Sequence, residues 1–205
     1  MMSQPVTHTP TTTRTVAEIL IGSIEDARQN KSDVMLTTPS GQSIGIFDNF
    51  THFVMPGSSD WLARPANDTH SSISCTPTHQ HNDVGHRPID ELMWTLGYYS
   101  SHDTLIHGCR RDDVISLTRW PNYTRLPHNP YFHRISALLT ARPTSVVLAS
   151  RLLNIPEQEI YRFYNAAQSA GYIKAVNRQE DNISTRKHKH QSFMKRLFER
   201  LTGPS

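Results

Sequence analysis

One stretch constrains the fold of this chain more than any other, and over residues 151–173 it reads RLLNIPEQEIYRFYNAAQSAGYI. Its apolar residues predict the end of one helix, a turn at residues 154–156 and then a second helix. The second helix would bury a stripe made of Ile160, Phe163, Tyr164 and Ala167. Gly171 is well placed to end it. A short helix, a tight turn and a second helix form a helix-turn-helix pattern.

The flanking segments extend this pattern to three helices. Pro130 suits the start of the first helix, and Thr144 can cap the second. We predict helices near residues 130–141, 145–153 and 156–170. Their shared core would comprise Ile135, Leu138, Leu148, Leu152, Ile160 and Phe163. Residues 172–176 would then form the first strand of a short wing, and residues 183–185 would complete it.

Residues 129–185 therefore resemble the winged helix-turn-helix superfamily. The resemblance is carried by LLNIPEQEIYRFYNAAQSAGYI, by the proline start and by the Gly171-Tyr-Ile exit. It implies a winged-helix-like domain that binds either DNA, the commonest role in the superfamily, or a protein partner. It does not extend to residues 1–128, to which no family is assigned.

Residues 15–128 predict an α+β domain, which makes the whole chain α+β. Thr15-Val-Ala-Glu18 matches a capping box and opens a helix that runs to about Gln29. A β-hairpin follows, in which apolar and polar residues alternate on both sides of a turn at residues 39–41. Its apolar positions are Val34, Leu36, Ile44 and Ile46. Residues 50–55 suggest a third strand, and residues 1–14 a disordered tail.

Residues 57–87 form a long insertion that lacks periodicity, so we expect a flexible, poorly packed linker. A helix should begin at Pro88 and stop at Gly97, followed by β segments at 104–107 and 114–118. The histidine-rich part of the insertion, residues 70–86, raises the question of a metal. Its possible ligands are His70, Cys75, His79, His81 and His86. Zinc sites usually show paired ligands at short regular spacing, so we expect no metal and leave the role of this stretch open.

The excess positive charge lies at the C-terminal end. The chain has 21 Lys+Arg and 18 Asp+Glu, a net charge of +3. Residues 172–205 alone hold eight cations and three anions, and residues 186–205 predict a basic amphipathic segment. This segment could dock on its own domain, bind a partner or lie on an anionic membrane surface. Its basic residues include Lys187, Lys189, Lys195, Arg196 and Arg200.

The second helix of the helix-turn-helix pattern opens with Glu157 and Glu159. Helices that read DNA usually present donors there, to phosphates and base edges. Carboxylates would face the polyanionic backbone, whereas they are favoured by the helix dipole and could pair with a basic protein. Arg162, Asn165 and Gln168 are predicted on the open face of the same helix. We therefore expect this helix to meet a protein partner, with DNA as the alternative.

A second candidate surface is RWPNYTRLP, which combines Arg119, Trp120, Tyr123 and Arg125. Aromatic residues and arginines are common where partners bind. The alternative, favoured from the sequence alone, is that Trp120 and Tyr123 seal the junction between the two domains.

No catalytic or phosphate-binding motif such as a Walker loop, H-E-x-x-H or G-x-S-x-G occurs, so we expect neither an enzyme nor a cofactor. The two cysteines lack paired spacing and the N-terminus lacks an apolar signal region, so we expect a cytoplasmic protein. The sequence thus predicts a non-enzymatic regulatory or adaptor protein that binds a protein partner in a bacterial-type signalling pathway. The alternative is a DNA-binding transcriptional regulator. The identity of the partner, the pathway and the oligomeric state are left open.

Overall fold

The computed structural model describes residues 15–28, 33–64, 73–78, 85–100, 103–106 and 108–177. Over these residues the chain has an α+β fold with five α-helices and two antiparallel sheets. The helices are α1 Val16–Arg28, α2 Ile89–Tyr99, α3 Phe132–Ala141, α4 Val146–Leu153 and α5 Glu157–Ser169. The strands are β1 Val34–Thr37, β2 Ser43–Phe47, β3 His52–Val54, β4 Ser74–Pro77, β5 Arg87–Pro88, β6 Val114–Leu117, β7 Thr144–Ser145 and β8 Ile173–Ala175.

The capping box and the hairpin are both confirmed. Glu18 N donates to Thr15 Oγ1 at 3.3 Å, and Thr15 N donates to Glu18 Oε2 at 3.4 Å. β1 pairs with β2 so that Leu36 lies opposite Ile44, and the apolar residues of both strands are buried. The third predicted strand is confirmed as β3. These features depend on residues close together in the chain, so local pattern was enough to predict them.

The expectation that residues 57–87 are poorly packed is wrong for residues 60–63, whereas residues 74–77 form a paired strand whose side chains are exposed. Residues 65–72 and 79–84 lie outside the described residues. Asp60–Ala63 forms a 3₁₀ helix that buries Trp61 and Leu62 in the core beneath the first sheet. β4 pairs with β1, so the first sheet has the order β4-β1-β2-β3-β5. The sequence does not predict β4, because all four of its residues are exposed and apolar and polar side chains do not alternate along it.

The second sheet has the order β7-β6-β8, with β6 in the middle. The strands predicted at 114–118 and 172–176 are confirmed as β6 and β8. The β segment expected at 104–107 is wrong for residues 103–106, which are irregular, and His107 lies outside the described residues. The second wing strand predicted at 183–185 lies outside them too. In the described sheet, β8 pairs with β6, which precedes the three helices in the chain.

The three predicted helices are confirmed as α3, α4 and α5. Ile135, Ile160 and Phe163 are buried in one core, and Leu138 packs partly buried against it. The prediction is wrong for Leu148 and Leu152, each of which is 48% exposed. α4 turns its smaller residues Val146 and Ala149 inward instead. Two faces of this short helix are apolar, one with Val146 and Ala149 and the other with Leu148 and Leu152. Helical spacing alone therefore does not show which face is buried.

α2 is shared by the two cores of the molecule. Its Leu92 and Leu96 belong to the core under the first sheet, whereas Trp94 lies in the core formed with α3, α4 and α5. The prediction that Gly97 ends this helix is wrong, because the helix continues to Tyr99. A Cβ atom at Gly97 would lie 2.4 Å from the carbonyl oxygen of Asn165 in α5. Glycine is present because the two helix backbones nearly touch.

The predicted N-terminal tail, residues 1–14, and the basic segment, residues 186–205, lie outside the described residues. None of the helices in the described part of the chain is long and apolar enough to cross a membrane.

Candidate partner-binding surface

The loop that joins β6 to α3 packs against α2 through hydrogen bonds and ring contacts. The indole Nε1 of Trp94 donates to the carbonyl oxygen of Pro127 at 2.9 Å. Tyr123 is half-buried, and its ring meets the Trp94 ring edge-on at 6.2 Å. The Tyr123 hydroxyl donates to the carbonyl oxygen of Phe132 at 3.2 Å and is hydrogen-bonded to Ser136. The loop is therefore fixed from its middle to its end.

Two carboxylates in the first turn of α2 hold the arginines of this loop. Arg119 Nη1 lies 2.6 Å from Asp90 Oδ2, and Arg125 Nε lies 3.2 Å from Glu91 Oε1. The Arg119 guanidinium also sits over the Tyr172 ring, 4.9 Å from its centre. Stacking on an aromatic face leaves donors of a guanidinium available for other groups. Both arginines are therefore paired with α2 while their guanidinium groups stay partly exposed.

Trp120 lies in the same loop, next to Arg119, and is 51% exposed. The side chains of Arg119 and Arg125 are 65% and 49% exposed. The interpretation that Trp120 seals the junction between domains is therefore wrong, whereas Tyr123 does pack inward. A half-exposed tryptophan between two arginines that are held in place forms the candidate surface, defined here as Arg119, Trp120 and Arg125.

Two tyrosines that support this loop have strongly raised pKa values. Burial raises the pKa of Tyr123 to about 12, although its hydrogen bond to Ser136 acts in the opposite direction. Burial also raises the pKa of Tyr172 to about 12, helped by the hydrogen bond that its hydroxyl donates to Asp90 Oδ2 at 2.8 Å. In both cases the folded protein favours the neutral phenol.

We expect the protein to lose stability as the pH rises from about 10, the ordinary pKa of tyrosine, to about 12. In that window the unfolded chain releases phenol protons that the folded chain retains, so unfolding becomes easier. Tyr172→Phe and Tyr123→Phe should each lessen this loss in denaturant titrations at pH 9 and pH 11. The direct check is a pH titration of phenolate absorbance. The curve of the wild type minus that of the variant reports the ionisation of the tyrosine that was replaced. A difference curve with its midpoint near pH 10 would contradict the prediction.

The two carboxylates in the first turn of α5, Glu157 and Glu159, are paired with other residues of the chain. Arg111 Nη2 lies 2.7 Å from both carboxylate oxygens of Glu157, and the Tyr161 hydroxyl donates to Oε2 at 3.0 Å. The hydrogen bonds from Arg111 and Tyr161 lower the pKa of Glu157. Glu159 accepts a hydrogen bond from Asn129 and pairs with Arg162 at 3.5 Å.

The other α5 residues predicted to bind a partner divide into exposed and buried ones. Gln168 is exposed. The Arg162 guanidinium is mostly covered and sits over Tyr98 of α2, 5.5 Å from the ring centre. The expectation that Asn165 faces outward is wrong, because it is fully buried. Asn165 Oδ1 accepts from Ile106 N, and Nδ2 donates to the Thr104 carbonyl oxygen, both at 3.0 Å. α2 covers the face that would have to enter a DNA groove.

The sequence did not reveal that Asp90 and Glu91 hold the arginines of the candidate surface. In the sequence they look like ordinary acidic residues in the first turn of a helix, because Arg119 and Arg125 lie about 30 positions away in the chain. The exposed pair Leu148 and Leu152 on α4 was also missed, having been assigned to the core. Both features depend on tertiary packing.

The described part of the histidine-rich stretch shows no assembled metal centre. Cys75 is exposed on β4, and His86 stacks on Phe47 with ring centres 5.3 Å apart. No three His, Cys, Asp or Glu residues among those described are grouped so that they could hold a metal ion. His70, His79 and His81 lie outside the described residues.

In comparisons with known proteins, no family model matches this chain, and no curated protein or solved structure is significantly similar to it.

Proposed function

We propose that this protein is a non-enzymatic adaptor that binds a protein partner through Arg119, Trp120 and Arg125. The observation that carries the proposal is the half-exposed Trp120 on a loop that is fixed by ion pairs and hydrogen bonds. Tryptophan and arginine are the residue types that most often dominate binding energy at protein interfaces. A preordered loop loses little conformational entropy on binding, which favours affinity.

The charges around the surface indicate the chemistry of the partner. Arg87, Arg119 and Arg125 face Asp90 and Glu91, which gives a local excess of one positive charge. The arginines are the more exposed members of these pairs, and the two carboxylates are largely covered. A partner would therefore meet guanidinium groups and an indole ring. The matching surface is an acidic one with an apolar pocket for the indole.

The packing of α5 argues against DNA recognition by this helix. Asn165 and Arg162 are engaged with the rest of the chain, and both carboxylates at the start of α5 have partners. Reading DNA with this helix would require α2 to separate from it. Any DNA binding would then depend on the basic tail, and would be weak, indifferent to sequence and steeply dependent on salt.

The proposal includes the setting predicted from the sequence. We propose a winged-helix-like arrangement for residues 129–185 and a regulatory role in a bacterial-type signalling pathway. The order of α3, α4, α5 and β8 supports the first of these. Cys75 and Cys109 are not joined in a disulfide, which fits a reducing cytoplasm.

We expect Trp120→Ala to weaken capture of the partner by about 30-fold, the effect of removing an interface residue that contributes about 2 kcal/mol. The measurement is affinity capture from native lysate, with bound proteins and nucleic acids both quantified. Tyr131→Ala is the matched control, since Tyr131 is also an exposed aromatic residue, 37% accessible, at the start of α3. It should leave capture unchanged.

Three results would contradict the proposal. One is equal loss of capture in both variants, and another is unchanged capture after Trp120→Ala. The third is selective binding of one DNA duplex at physiological salt that disappears in Arg162→Ala. That last result would make the protein a DNA-binding regulator.

A further inference from the structure

The outer face of α4 carries two leucines. Leu148 and Leu152 lie one helical turn apart, and each is 48% exposed. The inward face of the same helix buries the smaller residues Val146 and Ala149. Five large apolar side chains are exposed among the described residues, and these two alone lie on one helix. Single exposed apolar residues are ordinary, whereas adjacent ones often mark a place where a partner binds.

The chain around these leucines is rich in arginine and lacks carboxylates. Residues 114–156 contain five arginines and no lysine, aspartate or glutamate, although the whole chain has 18 Asp and Glu. Arg119 and Arg125 pair with α2. The other three are exposed and form no ion pair with a described residue. They are Arg134, Arg142 and Arg151.

Two of these arginines flank the leucine pair. Arg151 is exposed on α4 itself, immediately before Leu152 in the chain. Arg134 of α3 donates from Nη2 to the carbonyl oxygen of Leu153 at 2.6 Å, which places its guanidinium at the C-terminal end of α4. A guanidinium has five N–H donors, so this bond leaves others available. The α4 surface is defined here as Leu148, Leu152, Arg134 and Arg151.

The geometry of the α4 surface matches a helix that packs alongside α4. Amphipathic helices bind through apolar anchors spaced at i, i+3, i+4 and i+7. α4 has eight residues, a length of about 12 Å, and so offers about two turns of contact. Carboxylates beside the anchors of such a helix would meet the guanidinium groups of Arg134 and Arg151. Arginine and carboxylate groups can form two parallel hydrogen bonds, which adds specificity.

The charge of the α4 surface disfavours two occupants from this same protein. The segment 186–205 has apolar residues at helical spacing, but it carries six Lys and Arg against one Glu. Its docking on α4 would bring like charges together. A second copy that used the same surface in a symmetric dimer would place the same arginines opposite each other. The matching occupant therefore carries negative charge.

The apolar part of the α4 surface separates a protein from other anionic partners. Single-stranded nucleic acids bind proteins by stacking bases on aromatic rings, and leucine side chains offer no such platform. Helices that lie on anionic membranes bury a broad apolar face in the lipid. The exposed apolar face of α4 is two leucines long. Two anchors one turn apart suit the apolar stripe of another helix.

We propose that the α4 surface docks an acidic amphipathic helix of a partner protein. The apolar stripe of that helix covers Leu148 and Leu152, and its carboxylates pair with Arg134 and Arg151. The α4 surface is distinct from the candidate surface on the loop between β6 and α3. The proposal therefore does not depend on the function proposed for that loop.

The test uses three helical peptides of about 15 residues, a length at which isolated helices become stable. The first has leucines at i, i+3, i+4 and i+7 and glutamates on both sides of them. The second replaces the glutamates by lysines, and the third replaces the leucines by alanines. Binding to the full chain is measured by fluorescence anisotropy. The glutamate–leucine peptide should bind about tenfold more tightly than either of the others. Equal binding of the three, tightest binding of the lysine peptide, or no binding of the glutamate–leucine peptide would overturn the proposal.

Variants then locate the site. Leu152→Gln should weaken binding of the glutamate–leucine peptide about tenfold. Arg151→Gln should weaken it about threefold and make it less sensitive to salt. Both positions are exposed and glutamine forms helices well, so the fold should be retained, which circular dichroism checks. Unchanged peptide binding in Leu152→Gln would overturn the assignment.

Trp120→Ala distinguishes the two surfaces of the molecule. Trp120 is 51% exposed and lies in the same arginine-rich part of the chain, but outside the α4 surface. The variant should bind the glutamate–leucine peptide as the wild type does. A loss equal to that in Leu152→Gln would place the peptide on the loop between β6 and α3 and overturn the proposal.

Competition separates the possible anionic partners. Vesicles of phosphatidylserine and phosphatidylcholine, and a single-stranded DNA oligonucleotide, are each added to the complex with the labelled glutamate–leucine peptide. At physiological salt neither should displace the peptide, since neither offers a helical apolar stripe. Displacement by vesicles would assign the α4 surface to a lipid membrane, and displacement by DNA would assign it to nucleic acid. Either result would overturn the proposal.

Discussion

Gly97→Ala is expected to destabilise the protein by about 2–3 kcal/mol, although alanine favours a helix over glycine by about 1 kcal/mol. The new Cβ would lie 2.4 Å from the Asn165 carbonyl oxygen and 2.7 Å from the Cα atom of Ala166. Both are backbone atoms, so no side chain can rotate to make room. α2 and α5 would have to move apart, which loosens both cores together. Denaturant titration of the variant measures the loss.

Gly22→Ala is the matched control for this prediction. Gly22 is also inside a helix, α1, but a Cβ atom there would have no neighbour within 4 Å. Helix propensity should then act alone and stabilise the protein by about 0.5–1 kcal/mol. If both variants stabilise the protein, the close approach of α2 and α5 is wrong.

Trp94→Ala should reduce the free energy of unfolding by about 3–5 kcal/mol, the usual effect of emptying a buried tryptophan site. Trp94 is completely buried and packs against the rings of Tyr123, Phe132, Phe163 and Tyr172. The variant also leaves the Pro127 carbonyl oxygen without its donor.

Trp120→Ala removes the same side chain from the surface, and should change stability by no more than about 0.5 kcal/mol. Comparing the two variants therefore distinguishes a tryptophan that stabilises the fold from one that is available to a partner. Comparable losses of stability in the two variants would show that Trp120 is a packing residue and would remove the basis of the proposed function.

The features that the sequence predicted well are those in which interacting residues lie close together in the chain. The two partners of the capping box are three positions apart, and the hairpin joins two adjacent strands. α3, α4 and α5 followed from apolar residues at helical spacing. α4 shows the limit of that method, because both of its faces are apolar and only the packing determined that Leu148 and Leu152 stay outside.

The candidate surface could be predicted only in part. Arg119, Trp120 and Arg125 stood out by residue type, but their exposure depends on how the loop docks on α2. Asn165 was misplaced because the sequence does not show which helix covers α5. Gly97 was read as a helix end, since a glycine that stops a helix and one that admits another helix look the same in sequence.

The position of β6 in the middle of the second sheet has a consequence for synthesis on the ribosome. β6 pairs with β7 and β8, and its Ile115 lies opposite Ala175, which is made 60 residues later. At about 5–20 residues per second, the growing chain must carry β6 for roughly 3–12 s before its last neighbour exists. During that interval the strand presents unpaired backbone groups, which are templates for wrong pairing with other chains. Slower translation over residues 118–172 should therefore increase aggregation of the nascent chain.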